Sequence, residues 1–578
     1  MEGDKLQSCS LPYWEANEVK CRQQLDDPRN WNMIPSLNSV ALHKVVHQQL
    51  VRFTGMIQDM QNPELFLEQY EVRNDISGQT AVKMGKYRDI PVCRLDEVFV
   101  EDSANNLNGQ RQSLCCVSVP ALNSWVNESL VTEKFQPLQC EKKRAHPDES
   151  SGSSETLFTQ GTSVKRFCPY NQLDSRNSIL NMELNVPLPE AQVKTCLVKV
   201  YDSNSSLVLN DVIEVVGFLS VDPALSVSSV GTEETEEDEE SHLHNQPWSL
   251  VPRLHAVSFR KLCHSNPLVH PTLCSTEDVR EMAKVVKQDL RLVLSQVLLG
   301  DHLAADYFIC HLISTVFQHS ELLALGKFSL NISSVSPGNG YTTKLYAVLA
   351  ELVTKSHYLP LTLENLNKST FIPKKDYDGN RLVSGILQLS AHTHLVLDET
   401  CMEPGQLDSN GVRNVAALGT LISQQKVDYD FQFYKLEFQT DIPVLVLSEG
   451  KSLLPSDVAV PLEPDYKCME TMNEIFEAVN HYLQGSVLQK LRKYLTVVRL
   501  LKYSLPQNME KIIQDDFVRL RRENETKTSA SDLHLLLVLA RLVSLSQGEL
   551  ILSRESWELA CNMERHRKQR INGQAQHP

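Results

Sequence analysis

The chain has 578 residues, with 56 Lys and Arg against 72 Asp and Glu and a formal net charge of −16, which gives no global attraction to nucleic acid. Apolar residues make up 42%, enough for packed cores in a chain long enough for about three or four domains. Fourteen cysteines without any C-x-x-C pair read as reduced thiols, not a disulfide framework or a zinc site. No run of about 18 apolar residues is present to span a membrane, and the start carries no basic-then-apolar leader pattern. The expectation is a soluble, cytosolic or nuclear multidomain protein that meets other proteins.

Residues 1–40 are weakly patterned, with WEANEVKCRQQL (14–25) as one short helix. LVRFTGMIQDM (50–60), LFLEQYEV (65–72), AVKMGKYRD (81–89) and SLCCVSVP (113–120) read as short strands punctuated by turns. Residues 131–177 are polar and Ser-rich, too poor in apolar side chains to offset ordering entropy, and are expected to be a disordered insertion. Strands resume at CLVKVYD (196–202), DVIEVVGFLSV (211–221) and RLHAVSFRKL (253–262). A second disordered loop, residues 228–247, holds the acidic block 233–240, either a dock for basic surfaces or a solvated loop. One β domain, 41–265, is thus expected to be split by insertions, and its alternation suggests a small closed OB-like barrel.

After residue 275 the period changes to 3.6. Val286, Leu290, Val293 and Val297 share one helix face, Gly300 ends the helix and Asp301 can cap the next. FSLNIS, KLYAVLAELV, YLPLTLEN, LVSGILQL, THLVLDE, VAALGTLISQQ and IPVLVLSEG then alternate strand and helix, an α/β domain over 275–470 with FSLNIS and THLVLDE expected as adjacent strands. Residues 471–562 read as helical, and 563–578 as a basic tail.

Between FSLNIS and the next helix lies SVSPGNGYTT (334–343), where a phosphate-binding loop G-x-x-x-x-G-K-[ST] would sit. Pro337, Gly338, Gly340 and Thr342 fit that window, but Val335 stands at the first glycine and Tyr341 at the lysine. A β-branched residue does not readily take positive φ, and Lys344 is three residues too late. The turn should persist and the phosphate clamp should not. About 60 residues on, HLVLDE places Asp398 and Glu399 where a Walker B strand ends its apolar run in two acids.

LRKYLTVVR (491–499), SLPQNMEKIIQDDFVRLRR (504–522), SDLHLLLVLARLVSLS (531–546) and SRESWELA (553–560), in that order, closely resemble the helical lid of mini-chromosome maintenance (MCM) helicase subunits. The α/β part resembles their AAA+ core, and the OB-like domain in front completes the order. From about residue 31 to 560, FTGMIQDM, GKYRD, CLVKVYD, LLGDHLAA, NRLVSGILQL, QKVDYDF and SEGKSLLP resemble the family of MCM-binding proteins, distant relatives of those subunits.

The resemblance implies a degenerate AAA+ module. Sensor 1 would fall at Ser448–Glu449, the arginine-finger motif at SLLPSD (452–457) without an arginine, and the lid arginine at Ser531. Hydrolysis needs lysine, magnesium, acid and arginines together, so the expectation is no catalysis and no cofactor. The implied partners are MCM subunits, with the chain taking a neighbour's place in their ring. The implied roles are in replication, MCM assembly and removal, and cohesion, in the nucleus, with chromatin contacted indirectly.

Two other readings differ in class. A single-strand-binding OB protein would use Lys83, Lys86, Tyr87 and Arg88, and an active AAA+ ATPase would need Lys344 to replace the missing lysine. Lys142, Lys143 and Arg144 are the candidate import signal, with ERHRKQR (564–570) a second candidate or simply a basic helix end.

Overall fold

The computed structural model describes residues 6–131, 185–220, 252–269 and 276–574, apart from 7–8, 42–43, 90–91, 95, 189–192, 203–205, 321–322 and 524–528. The insertion expected over 131–177 (beyond Val131), the loop 228–247 with its acidic block, and Lys142, Lys143 and Arg144 lie outside the described residues.

The β half contains β1 (Leu50–Met60), β2 (Glu64–Asn74), β3 (Thr80–Met84), β4 (Glu97–Phe99), β5 (Leu107–Val117), β6 (Thr195–Val200), β7 (Val212–Ser220) and β8 (Arg253–Lys261). β1 pairs with both β7 and β5, so β1, β7, β8, β6 and β5 close into a ring in which only β6 and β8 run parallel. β2 extends the sheet from β5 and carries β3 and β4. β7 is buried at every position, which is why VIEVVGFLS reads as a continuous run. Its one acid, Glu214, is held by Arg52 at 3.0 Å and Arg260 at 2.6 Å. Gly217 sits at a register shift against β8, where a Cβ would lie 2.3 Å from the His255 carbonyl oxygen, so only glycine fits that approach.

The segment before β1 is more ordered than its pattern suggests. Its helix, Leu11–Leu25, is kinked at Asn17 (φ −134°, ψ 27°), which breaks the 3.6-residue period. Trp14, Cys21 and Leu25, with Trp31 and Ile34, nevertheless bury themselves against Tyr87, Val216 and Phe218 of the β half.

The α/β half adds β9 (Gln318–His319), β10 (Ala324–Leu325), β11 (Leu330–Ser333), β12 (Ser356–Pro360), β13 (Lys374–Asp376), β14 (Arg381–Val383), β15 (His394–Asp398), β16 (Lys426–Asp430), β17 (Lys435–Gln439), β18 (Val444–Leu447) and β19 (Val458–Pro461). Its main sheet is parallel, in the order β12-β15-β18-β11-β19. FSLNIS and THLVLDE are therefore not neighbours. β18, apolar and buried throughout, takes the place between them, pairing Leu445 with Leu330 on one side and Val396 on the other. Alternate side chains divide the sheet: Val396, Leu445 and Leu447 enter one core, Leu395, Leu397, Val444 and Val446 the other. LVSGILQL supplies only the short β14, which joins β13, β16 and β17 in a small side sheet.

The helices Met472–Tyr482, Gly485–Arg499, Gln507–Glu523, Ala530–Ser546 and Arg554–Gln574 pack with Thr276–Val297 and His302–Ile313 on the first of these cores. Asp301 caps as expected, accepting from the Ala304 amide at 3.0 Å. The last helix runs unbroken to Gln574, so the boundary expected at 562 falls inside it. Within the presumed basic tail, Arg567 bonds Glu564 and the Ala459 carbonyl, and Arg570 clamps the buried Asp301. No single helix is long and apolar enough to cross a membrane.

Side chains join the two halves. Gln58 donates to the Leu382 carbonyl at 2.8 Å and accepts, through its own carbonyl, from Gln388 at 2.8 Å. Asn123 donates to Val353 O at 2.8 Å, Trp125 to the same carbonyl at 3.0 Å, and Arg492 stacks on the Trp125 ring at 3.9 Å.

Candidate functional site

In a parallel sheet, ligands bind in the crevice outside the carboxyl ends of the strands. There the loop after β11, the acids ending β15 and the segment after β18 come together. Ser334 N–H donates to the Glu449 carbonyl and Val335 N–H to the Ser448 carbonyl, each at 3.1 Å. Left-handed backbone falls at Ser334 (φ 63°), Gly338 (φ 95°) and Gly340 (φ 63°), while Val335 stays buried outside that region. The positive φ thus falls on Ser334, one residue before Val335, so the β-branched valine is not required to adopt it.

Tyr341, in the lysine's place, points inward. Its hydroxyl donates to the Val297 carbonyl at 3.0 Å, its ring meets Phe476 edge-on, and burial pushes its pKa up. Lys344 is turned aside as well, its ammonium donating to Asn473 Oδ1 on the Met472–Tyr482 helix.

The loop and the acids do meet. Thr342 Oγ1 lies 3.4 Å from the Tyr358 hydroxyl, which donates to Asp398 Oδ2. Asp398 Oδ1 accepts from Thr400 twice, from its amide at 2.9 Å and its hydroxyl at 2.6 Å, and Cys401 Sγ approaches Oδ2 at 3.4 Å. Burial pushes this carboxyl up, but the hydrogen bonds from Thr400, Tyr358 and Thr342 outweigh it and hold it below the usual range. Both oxygens are therefore engaged by the chain's own donors.

Glu399 is engaged too. It accepts from the Ser452 hydroxyl at 2.8 Å and from the Leu453 and Leu454 amides at 3.3 Å each. Burial raises its pKa, the three donors oppose this, and the neighbouring Asp398 charge adds to the rise. Ser448 Oγ sits 3.0 Å from Asn331 Oδ1, buried between strands. Ser531 is exposed at the start of the Ala530–Ser546 helix, 2.7 Å from Ser529, which forms a capping box with Asp532. A magnesium nucleotide needs a lysine over the loop, a carboxylate free for the metal and another free to orient water. Tyr341, Asp398 and Glu399 as placed do not fit that group.

The basic-aromatic cluster of the β half borders a cavity of about 490 Å³ lined by Arg22, Lys86, Tyr87, Tyr201 and Phe259, but its charges are paired and Tyr87 presents no exposed ring. Lys83 pairs with Glu97, Lys86 with Glu68 at 3.8 Å and Arg88 with Glu15 at 2.8 Å. Tyr87 is buried against Trp14, Tyr201 and Phe218. Stacking platforms for bases must be exposed, and this one is not.

Sequence reasoning missed Tyr358, Thr400 and Ser452, the residues that fill the acids' hydrogen-bonding capacity. Thr400 could have been suspected as a local partner two residues after Asp398, but Tyr358 and Ser452 reach the acids from 40 and 53 residues away.

A family model described as mini-chromosome maintenance replisome factor matches residues 21–571. The chain belongs to this family. Proteins named mini-chromosome maintenance complex-binding protein are similar to it: that of Drosophila melanogaster is 42% identical over 96% of this chain and 95% of its own length. The Danio rerio protein is 40% identical over 99% of this chain and 96% of its own, and the Homo sapiens protein 37% over 99% and 97%.

Proposed function

We propose that the chain binds MCM helicase subunits without hydrolysing ATP, by presenting an AAA+-like module and its helices as a substitute for a ring neighbour. The relatives' name supplies the partner. The observation that carries the non-catalytic half is the filling of each station at the strand ends: Tyr341 on Val297, Asp398 on Thr400 and Tyr358, Glu399 on Ser452 to Leu454. The β ring reads as an OB-like module and the parallel sheet as a degenerate AAA+ core within this proposal. Its setting is nuclear: MCM assembly and removal from chromatin, replication and sister-chromatid cohesion, with chromatin contacted through the MCM subunits. Lys142, Lys143 and Arg144 are the proposed import signal, tested by following a tagged protein with all three changed to alanine.

The test of the main reading is co-purification of MCM subunits from nuclear extract on the full-length chain, with ATP turnover measured on the same preparation. MCM subunits retained without turnover support it. ATP hydrolysis that disappears in Asp398→Asn, or no MCM retention, overturns it.

A further inference from the structure

A second cavity lies at the opposite, amino-terminal edge of the parallel sheet. It has a volume of about 460 Å³ and is lined by Thr315, Phe317, His392, Arg499, Tyr503 and Arg541, with Lys502 at its margin. The lining comes from four places: the chain leaving the His302–Ile313 helix, His392 two residues before β15, the end of the Gly485–Arg499 helix with the turn after it, and the Ala530–Ser546 helix.

Its two arginines reach it from different helices, and each is more than nine-tenths buried, Arg499 at 8% exposure and Arg541 at 6%. Among the described residues neither has a carboxylate oxygen within the 4.0 Å of an ion pair. Arg499 Nε and Arg541 Nη1 are buried without a hydrogen-bond partner among the described residues. The carboxylate whose field both feel, Asp441, is already occupied, accepting from Thr315 at 2.6 Å with His392 Nδ1 at 3.1 Å. The Phe317 ring under Arg541, at 4.8 Å, offsets only part of that charge.

A guanidinium taken out of water without a counter-charge is strongly disfavoured. Two such groups converging on one cavity, with donors unspent, match an anion that supplies several acceptors at once. Arg499, Arg541 and Lys502 line the cavity with no carboxylate among the lining residues, and Asp441 behind them is shared with His392 and Lys355, which suits a dianion better than a single carboxylate. We propose that this cavity binds a phosphate-type dianion held by Arg499 and Arg541. The site is separate from the loop 334–340, which lies beyond the other ends of the same strands, and it does not depend on the function proposed above.

The test titrates the full-length protein at about pH 7.5 and constant ionic strength with sodium phosphate and with a short phosphoserine peptide, read by calorimetry. At least one of the two should bind saturably at one site. Arg541→Met should weaken that binding about tenfold or more, while Lys344→Met, beside the degenerate loop, should leave it within about twofold. Inorganic phosphate binding alone marks a free anion as the ligand; a peptide that competes with it marks a phosphorylated protein segment. Thermal melting in phosphate-free buffer is the second measurement. Removing an uncompensated buried charge should leave Arg541→Met melting no lower than the parent chain. If neither probe binds saturably, if Arg541→Met binds as the parent does, or if that variant melts markedly lower without ligand, the arginines are structural and the proposal falls.

Discussion

At the scale of single residues, the strand-end acids act as fasteners. Asp398 accepts from Thr400 and Tyr358, so Asp398→Asn should destabilise the fold by about 1–3 kcal/mol in chemical denaturation. Because its folded pKa is depressed, that contribution is present above its unfolded value of about 4 and is lost as pH falls through the lower folded value. The gap between parent and variant should narrow accordingly in acid. Lys355 behaves oppositely. Buried and beside Arg499, it is pushed down to about 7 from its ordinary 10.5, with its ammonium donating to Ser390 Oγ at 2.8 Å. Between those values the unfolded chain binds the extra proton, so stability should rise with pH from about 7 to 10.5. Lys355→Met should flatten that rise in melting curves. The two loop glycines and the misfit of Val335 were legible from the sequence, since φ preferences are local. The inward turn of Tyr341 was not, because it is decided by the Val297 carbonyl 44 residues away.

At the scale of elements, the strand spans were legible wherever one face is buried and the other wet, and the Asp301 cap was legible from its place after Gly300. The Leu11–Leu25 helix was only partly so, its kink having scattered the apolar positions. Trp14 has no exposure and meets Phe218 at a centroid distance of 5.7 Å, so Trp14→Ala should cost about 3–5 kcal/mol. Limited proteolysis of that variant should release the N-terminal segment first. The helix end taken for a basic tail is equally structural. Arg570→Ala would strip the counter-charge from Asp301, whose side chain is fully buried, and should cost about 3–5 kcal/mol in denaturant titration. A different outcome is expected at the tip between β16 and β17. Phe433 is 85% and Tyr434 53% exposed, so the double change to serine should leave melting within a degree or so. It should weaken MCM retention several-fold if this tip is one of the contact anchors.

At the scale of the whole molecule, strand order was the least legible feature. Pairing is non-local, and nothing in FSLNIS or THLVLDE says that β18, arriving about 50 residues after β15, will separate them. The helical region after residue 471 also has no core of its own: Leu491, Tyr494, Leu539 and Trp557 share one with Val286, Phe308 and Leu345. Deleting it should unfold the α/β half, not merely remove a binding wall, and circular dichroism of the truncated chain would report this. Removing residues 231–246 should instead reduce MCM retention only slightly and mainly at low salt, because attraction between charges across water is screened within about 10 Å. Glu399, clasped by Ser452 to Leu454, sets a further limit on how such a protein can behave in time. On the non-catalytic reading proposed above, this chain supplies no irreversible chemical step of its own, hence no internal clock. Its complexes would form and dissolve by mass action alone. Any nucleotide dependence of their decay after dilution must then belong to the MCM partner and should be unchanged by Glu399→Gln in this chain, and whatever else hastens it in the cell must come from a competitor or a modifying enzyme.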